Sequence, residues 1–103
     1  ILLDIVYRLT PHRPLILSKE GTLGVEACPP EEAVLKPQVR YIINVGSVGQ
    51  PRDGHTEAAY GLYDDAEKRY LLKRVSYDVA AAQKKIIHAG LPPFLAQRLS
   101  RGI

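Results

Sequence analysis

The stretch YIINVGSVGQPRDGHTEAAY, residues 41–60, is the most informative part of this chain. It joins an apolar strand to a glycine-rich polar loop, which we call the glycine loop (residues 44–54), and then returns to a strand. Such loops usually serve a site, and this one can face a phosphate or a metal-bound substrate, although it cannot perform hydrolysis by itself. Four glycines are expected to allow positive φ and close backbone approach: Gly46, Gly49, Gly54 and Gly61. The polar groups at the strand exit are Asn44, Ser47, Gln50, Arg52 and Asp53.

The composition is that of an ordinary globular domain of 103 residues, with 46% hydrophobic and 24% charged residues. An isoleucine at position 1 and the lack of any methionine indicate a fragment or a processed chain. The net charge of +3 permits nucleic-acid binding without indicating it. The basic residues of the second half, Lys68 to Arg101, are interpreted as solvated faces of strands and helices. No apolar run approaches the ~20 residues that span a bilayer, so no membrane partner is expected.

Cys28 is the single cysteine, which excludes an internal disulfide framework and a structural zinc site made of cysteines. It precedes two prolines and has no basic neighbours that would activate the thiol, so it is predicted to be a small packing residue. This cysteine usage indicates a reducing cytoplasm as the location of the protein.

The pattern along the chain predicts mostly antiparallel strands followed by two helices. Residues 1–12 fit a short strand or the end of a helix. Leu15–Ser18 and Thr22–Cys28 are predicted to form an edge hairpin. Residues 29–38 contain three prolines and are predicted to be a loop. Val39–Val45 is predicted to be a core strand covered on both faces, because it is a near-continuous β-branched and aromatic run.

The last half of the chain gives clearer signals. Thr56–Tyr63 and Lys68–Tyr77 predict a hairpin around a polar turn at Asp64–Glu67. Asp78 is a good N-cap for a helix over Val79–Ala89, with Gly90 in place to end it and Lys84 and Lys85 toward water. A second helix is expected to start at Pro92 and Pro93, and Gly102 suits its end. Its leucines recur every four residues, at Leu91, Leu95 and Leu99. The chain is thus expected to be one incomplete domain, divided into residues 1–38, 39–77 and 78–103.

The glycine loop invites several chemical interpretations. A nucleotide P-loop is excluded, because no Gly-Lys-Ser/Thr follows and Pro51 replaces a helix start. Two readings stay open: backbone N–H groups with Ser47 or Arg52 approach an anionic substrate, or Asp53 pairs with Arg52 or caps a structural turn. The Asp53-Gly54-His55 run also invites a metal site, but an exposed histidine at the loop edge is favoured. Proximity of Ser47, Asp53 and His55 in sequence does not make a triad, so no catalytic residue is assigned.

Residues 39–103 resemble the C-terminal part of prokaryotic calcineurin-like metallophosphoesterases, in the YfcE-like branch related to diadenosine tetraphosphatases. The resemblance is carried by NVGSVGQPRDG at 44–54, the following AAY strand, RVSYDV at 74–79 and LPPFLAQRLSRG at 91–102. The family loop typically reads NPGSVGQPRDG, so Val45 stands where proline is usual. The resemblance implies an α+β fold, namely the C-terminal portion of a four-layer α/β/β/α sandwich.

The resemblance also implies a two-metal centre for hydrolysing phosphate esters. In the family, two divalent ions such as Mn, Fe, Mg, Ni or Zn are held mostly by motifs upstream of the loop, completed by G-H-x-H. Only His12 stands in the register of that last motif, which implies that it is a metal ligand. Residues 1–11 are unlike the family, through degeneration, altered sequence or another reading frame. The complete parent would act on a phosphorylated small molecule or nucleotide, whereas this chain alone would be inactive and would not hold both ions.

For the glycine loop, the resemblance implies modest roles. Asn44, Gly46 and Ser47 match a turn that shapes the floor of the site. Arg52 is the best candidate for meeting substrate charge or tying the loop to Asp53. The main alternative is a non-catalytic module that binds a nucleotide or a protein. A third possibility is a truncated product without function, in which the strand at 39–45 would expose one face. The sequence leaves the oligomeric state open.

Overall fold

A computed structural model describes residues 12–103. The segment before His12, predicted as a strand or a helix end, lies outside the described residues. The described part contains six strands in two antiparallel three-stranded sheets, followed by helices, so the predicted α+β class is confirmed. The strands are β1 (Pro14–Glu20), β2 (Glu26–Cys28), β3 (Glu32–Val34), β4 (Val39–Val45), β5 (Ala58–Asp64) and β6 (Arg69–Val75). The helices are α1 (Val79–His88) and α2 (Pro93–Gln97), and a 3₁₀ turn follows at Arg98–Ser100.

The first sheet has the strand order β2-β1-β4. Strand β1 begins at Pro14, where a missing N–H is tolerated, and pairs along its whole length with β4. Ile16 lies between Cys28 on one side and Ile43 on the other, and its side chain is fully buried. The predicted hairpin therefore exists, but only β2 lies at the edge and β1 is the central strand. Cys28 is half-buried, and its Sγ lies 3.4 Å from the Ser18 hydroxyl.

Strand β4 has the predicted bounds but not the predicted burial. None of its seven residues is fully buried in the described structure, and Ile42 is 57% exposed. The expectation of cover on both faces is therefore wrong for the part of the chain that the structure describes. The reason is that one face of β4 lacks sufficient cover within residues 12–103, since Arg40 and Ile42, which lie on the same face, are both exposed. An apolar pattern indicates that the faces of a strand need to be covered by other elements. It does not show whether this chain contains those elements.

The second sheet has the order β3-β6-β5. Its edge strand β3 corrects the prediction of a loop over residues 29–38. Glu32, Ala33 and Val34 pair with β6, and the Glu32 carboxylate accepts from Arg69 at 2.8 Å. The three prolines of this segment lie on either side of β3, so they bound the strand without interrupting its ladder.

The β5–β6 hairpin confirms the predicted antiparallel pair, with the turn displaced by one residue. Asp64 ends β5 opposite Arg69, and the turn spans residues 65–68. The Asp64 Oδ1 accepts from the N–H groups of Ala66 at 2.9 Å and Glu67 at 3.2 Å. An aspartate that caps its own turn in this way fixes the register of the two strands.

The space between the sheets centres on Tyr70. This side chain is 4% exposed, and its hydroxyl is buried without a hydrogen-bond partner among the described residues. Burial raises the pKa of the Tyr70 hydroxyl above its ordinary value of 10.0. Beside it lies an open apolar groove of about 360 Å³, lined by Leu35, Ile43, Val45, Gly61, Tyr63 and Tyr70. The described core is thin and consists of Ile16, Leu17, Ala58, Ala59, Tyr70, Ala96 and Leu99.

We expect Tyr70 to make the fold sensitive to alkali. Its raised pKa means that, above pH 10, the unfolded chain releases a proton that the folded chain retains, so the free energy of unfolding falls as pH rises. Tyr70→Phe should remove this part of the slope and, by deleting an unpaired buried hydroxyl, leave stability at pH 7 unchanged or higher by up to about 1 kcal/mol. Urea unfolding of both proteins from pH 7 to 11 measures this. Equal slopes for the two proteins would contradict it.

The helices follow the sequence signals closely. The Asp78 side chain accepts from the Ala81 N–H at 3.0 Å, which confirms the predicted N-cap of α1. Lys84 and Lys85 are exposed, as expected. The Gln83 amide donates to the Ala96 carbonyl at 2.9 Å and links α1 to α2. Of the three leucines that recur every four residues, Leu99 is buried, Leu95 is half-buried and Leu91 is exposed. Within residues 12–103, no helix is long and apolar enough to cross a membrane.

Candidate glycine-loop site

The glycine loop begins with a turn that the end of β4 builds. The Asn44 Oδ1 accepts from the Gly46 N–H at 3.0 Å. Gly46 has φ +86°, and a Cβ there would lie 3.0 Å from Pro14 Cγ and 3.3 Å from Ala59 Cβ. Only glycine meets both conditions without strain. The prediction of positive φ is thus confirmed at Gly46 and also at position 54, but the glycines at 49 and 61 have ordinary φ values.

Ser47 stabilises the second turn of the loop. Its Oγ accepts from the Gln50 N–H at 2.9 Å, and its carbonyl accepts from the Ala59 N–H at 2.9 Å, which ties the loop to β5. The hydroxyl is thereby used as a turn cap.

Arg52 links the loop to His12. Its backbone N–H donates to the His12 carbonyl at 3.1 Å, and its Nη2 donates to Gln50 Oε1 at 3.2 Å. The Arg52 Nε is buried and has no hydrogen-bond partner among the described residues. The structure therefore brings together two residues that the sequence singled out, namely Arg52 of the glycine loop and His12, the predicted metal ligand.

His12 keeps a ring nitrogen available. The residue is half-buried, and its Nδ1 is buried without a hydrogen-bond partner among the described residues. A buried imidazole nitrogen with no partner suits a metal ligand. Residues 12–103 contain no group of three or more His, Cys, Asp or Glu residues that could hold an ion. The described residues therefore fit the supply of one ligand and do not form a complete metal centre.

Asp53 pairs with Arg74, not with Arg52 as one sequence interpretation had it. Both terminal guanidinium nitrogens of Arg74 contact the Asp53 carboxylate. Nη2 lies close to Oδ2, and Nη1 lies 3.4 Å from Oδ1. Nη1 also lies 3.3 Å from the Glu57 carbonyl oxygen. Because this pair occupies the Asp53 carboxylate and His55 is exposed, the Asp53-Gly54-His55 run is not a ligand pair in the described structure.

Arg74 was missed by the sequence reasoning, which interpreted it as a solvated basic residue. Its side chain is only 19% exposed, and that of Asp53 is 18% exposed. Alternation along β6 is the signal that could have found it. Arg74 lies on the same face of the strand as Tyr70 and Leu72, and that face points toward the interior.

The C-terminal turn also holds the loop. The Gly54 N–H donates to the Gly102 carbonyl at 2.9 Å. Gly102 is buried with φ +67°, and a Cβ there would lie 2.7 Å from the His55 nitrogen and 2.8 Å from the Gly54 carbonyl carbon. The sequence predicted Gly102 only as a helix end. Its packing against the loop depends on the tertiary structure.

The comparisons with known proteins agree with this geometry. No family profile matches the chain. The chain is 36% identical over 99 residues to an uncharacterized protein of Methanocaldococcus jannaschii, and the match covers 96% of this chain and 40% of that protein. A crystal structure of a metallophosphoesterase from Sphaerobacter thermophilus matches with a TM-score of 0.69 and 32% identity, covering 86% of this chain and 39% of that one.

The chain thus spans about two fifths of the length of each of these relatives. The similarity to the solved structure extends to both sequence and fold. The chain has the fold of part of a metallophosphoesterase, consistent with the C-terminal part of a calcineurin-like fold, which is the relationship that the glycine loop predicted.

Proposed function

We propose that this chain supplies one wall of a two-metal phosphoesterase centre. In the complete protein, that centre would hydrolyse a phosphate ester of a small molecule or nucleotide. The observation that carries the proposal is the hydrogen bond from the Arg52 N–H to the His12 carbonyl, 3.1 Å long. It fixes the glycine loop beside His12, whose ring Nδ1 has no hydrogen-bond partner among the described residues and would suit a metal ligand. The similarity to a metallophosphoesterase supports the class of reaction.

Each residue has a separate role in this proposal. His12 would hold a divalent ion through its ring nitrogen. When two such ions are bound, they supply Lewis-acid polarisation of the phosphate and activation of water. Arg52 would contribute fixed positive charge for the phosphate oxygens, since its side chain has one hydrogen-bond partner among the described residues, Gln50. Asn44, Gly46 and Ser47 would form the floor, because their own hydrogen bonds hold the backbone in one shape.

The 103-residue chain is expected to be inactive alone. A two-metal clamp requires several ligands around each ion, and residues 12–103 present no such group. We expect no metal-dependent turnover of p-nitrophenyl phosphate or bis-p-nitrophenyl phosphate by the purified chain with Mn²⁺. Turnover that a chelator abolishes would show instead that the chain completes the centre itself.

The role of His12 can be measured without activity. The chain has three histidines, His12, His55 and His88, and the last two are exposed and serve as internal controls. On titration with Mn²⁺, the imidazole signals of His12 should broaden at lower metal concentration than those of His88 in NMR spectra. His12→Gln identifies the signal and should leave the others unchanged. Equal broadening of all three histidines would contradict a ligand role for His12.

A further inference from the structure

The ion pair between Asp53 and Arg74 adjoins the candidate site, because Asp53 directly follows Arg52 in the glycine loop. It joins the end of the glycine loop to β6, and both side chains are more than four fifths buried. The Arg74 guanidinium donates to the Asp53 carboxylate through both terminal nitrogens. Its Nη1 also donates to the Glu57 carbonyl at 3.3 Å. A planar fork held at three points fixes orientation as well as distance, which a single surface ion pair does not.

A short series of bonds connects this pair to His12. Asp53 is the covalent neighbour of Arg52, whose N–H donates to the His12 carbonyl. On the other side, Gly54 donates to the Gly102 carbonyl at 2.9 Å. Three consecutive loop residues are therefore anchored to three separate parts of the chain. The central anchor, Arg74, is the one made by a charged side chain.

We propose that Arg74 is a positioning residue, which acts through Asp53 to set the placement of Arg52 and the His12 imidazole. The purpose of this role, which is to place a metal ligand, rests on the proposed function. The contacts that support the role do not. Among the described residues, Arg74 contacts Asp53 and the Glu57 carbonyl, and neither residue is proposed to bind a metal or the substrate. The bidentate contact of Arg74 with Asp53 holds the loop in the position at which the Arg52 N–H reaches the His12 carbonyl. The loop in turn keeps His12 in place.

The chain contains a matched control for this proposal. Arg69 lies on the same strand and also pairs with a carboxylate, that of Glu32. That pair is 42% and 50% exposed and lies on the opposite face of β6, away from the loop. The same substitution at the two arginines therefore separates loop positioning from the general loss of an ion pair on β6.

The test is amide hydrogen exchange and NMR of the metal-free chain, comparing Arg74→Met with Arg69→Met. In Arg74→Met, we expect the amides of Arg52 and Gly54 to exchange roughly tenfold faster and the His12 imidazole signals to shift. The Ala82 amide, which donates to the carbonyl of the N-cap residue Asp78 at the start of α1, should exchange as before. Arg69→Met should change none of these signals. Arg74→Lys keeps the charge but not the fork, so it should fall between the parent and Arg74→Met.

Two results would overturn the proposal. One is an Arg74→Met protein whose Arg52 amide and His12 signals match those of the parent. The other is an equal acceleration of loop and Ala82 amides, which would reduce the pair to general support of the fold. If Arg74→Met does not fold, Asp53→Asn removes the charge at nearly constant shape and is judged by the same two criteria. Because metal and phosphate are absent from the measurement, failure here is distinct from failure of the His12 metal titration.

Discussion

Gly102→Ala should lower the free energy of unfolding by about 2–4 kcal/mol, the sum of backbone strain and overpacking. The new Cβ would press on the His55 oxygen, on its nitrogen at 2.7 Å and on the Gly54 carbonyl carbon at 2.8 Å. All three atoms belong to backbone that the loop anchors already fix, so they cannot move aside cheaply. Urea denaturation followed by circular dichroism gives the change.

Gly90→Ala is the matched control. Gly90 also has positive φ, at +76°, but nothing lies within 4 Å of a Cβ there. Its replacement should therefore cost only the backbone strain, about 1–2 kcal/mol. If Gly102→Ala is no more destabilising than Gly90→Ala, the C-terminal turn does not press on the loop. Faster exchange of the Gly54 amide in Gly102→Ala alone would show that the turn has undocked.

The second large effect is expected at the seam between the sheets. Gly61→Ala would place a Cβ 2.6 Å from Tyr70 Cε2 and 2.8 Å from Val45 Cγ1. The Tyr70 ring is buried, so moving it away from the new Cβ, toward the apolar groove that it lines, gives up packing contacts. We expect a loss of about 1–3 kcal/mol in the free energy of unfolding, despite the better strand propensity of alanine.

Gly24→Ala, in the loop between β1 and β2, separates the steric effect at Gly61 from the general effect of replacing glycine by alanine on the unfolded chain. A Cβ at Gly24 meets nothing within 4 Å, and its φ is not positive, so this substitution should be neutral or slightly stabilising. The measurement is the urea midpoint, together with the near-ultraviolet dichroism of the tyrosines, which reports packing around Tyr70. Equal stability of Gly61→Ala and the parent would mean that the two sheets separate easily at this seam.

Local signals predicted the elements that depend on neighbouring residues. The N-cap at Asp78, the antiparallel β5–β6 hairpin and the bounds of β4 all follow from propensities and capping groups within a few positions. The class of fold and the resemblance to metallophosphoesterases were predicted for the same reason. The glycine loop is one continuous segment whose glycines and polar groups specify a backbone shape almost unaided.

Strand β3 and the burial of β4 could not be predicted in this way. Glu32–Val34 becomes a strand because β6 lies beside it, and a three-residue pairing leaves almost no periodic signal. The apolar pattern of β4 was interpreted as two-sided burial, yet Ile42 is exposed. A pattern shows what a strand needs, whereas burial depends on which other elements lie against it.

The amino-acid sequence alone was enough to identify the glycine loop, the resemblance to metallophosphoesterases and the candidate residues Asn44, Gly46, Ser47, Arg52 and His12. How that loop is held depends on the tertiary structure. Arg74 reaches Asp53 across 21 positions of sequence, and Gly102 reaches Gly54 from the end of the chain. The hydrogen bonds of a turn join residues that are neighbours in sequence, so a turn can be predicted from the local sequence. An anchor between distant residues exists only once two sheets and a C-terminal turn have packed, which no local pattern records.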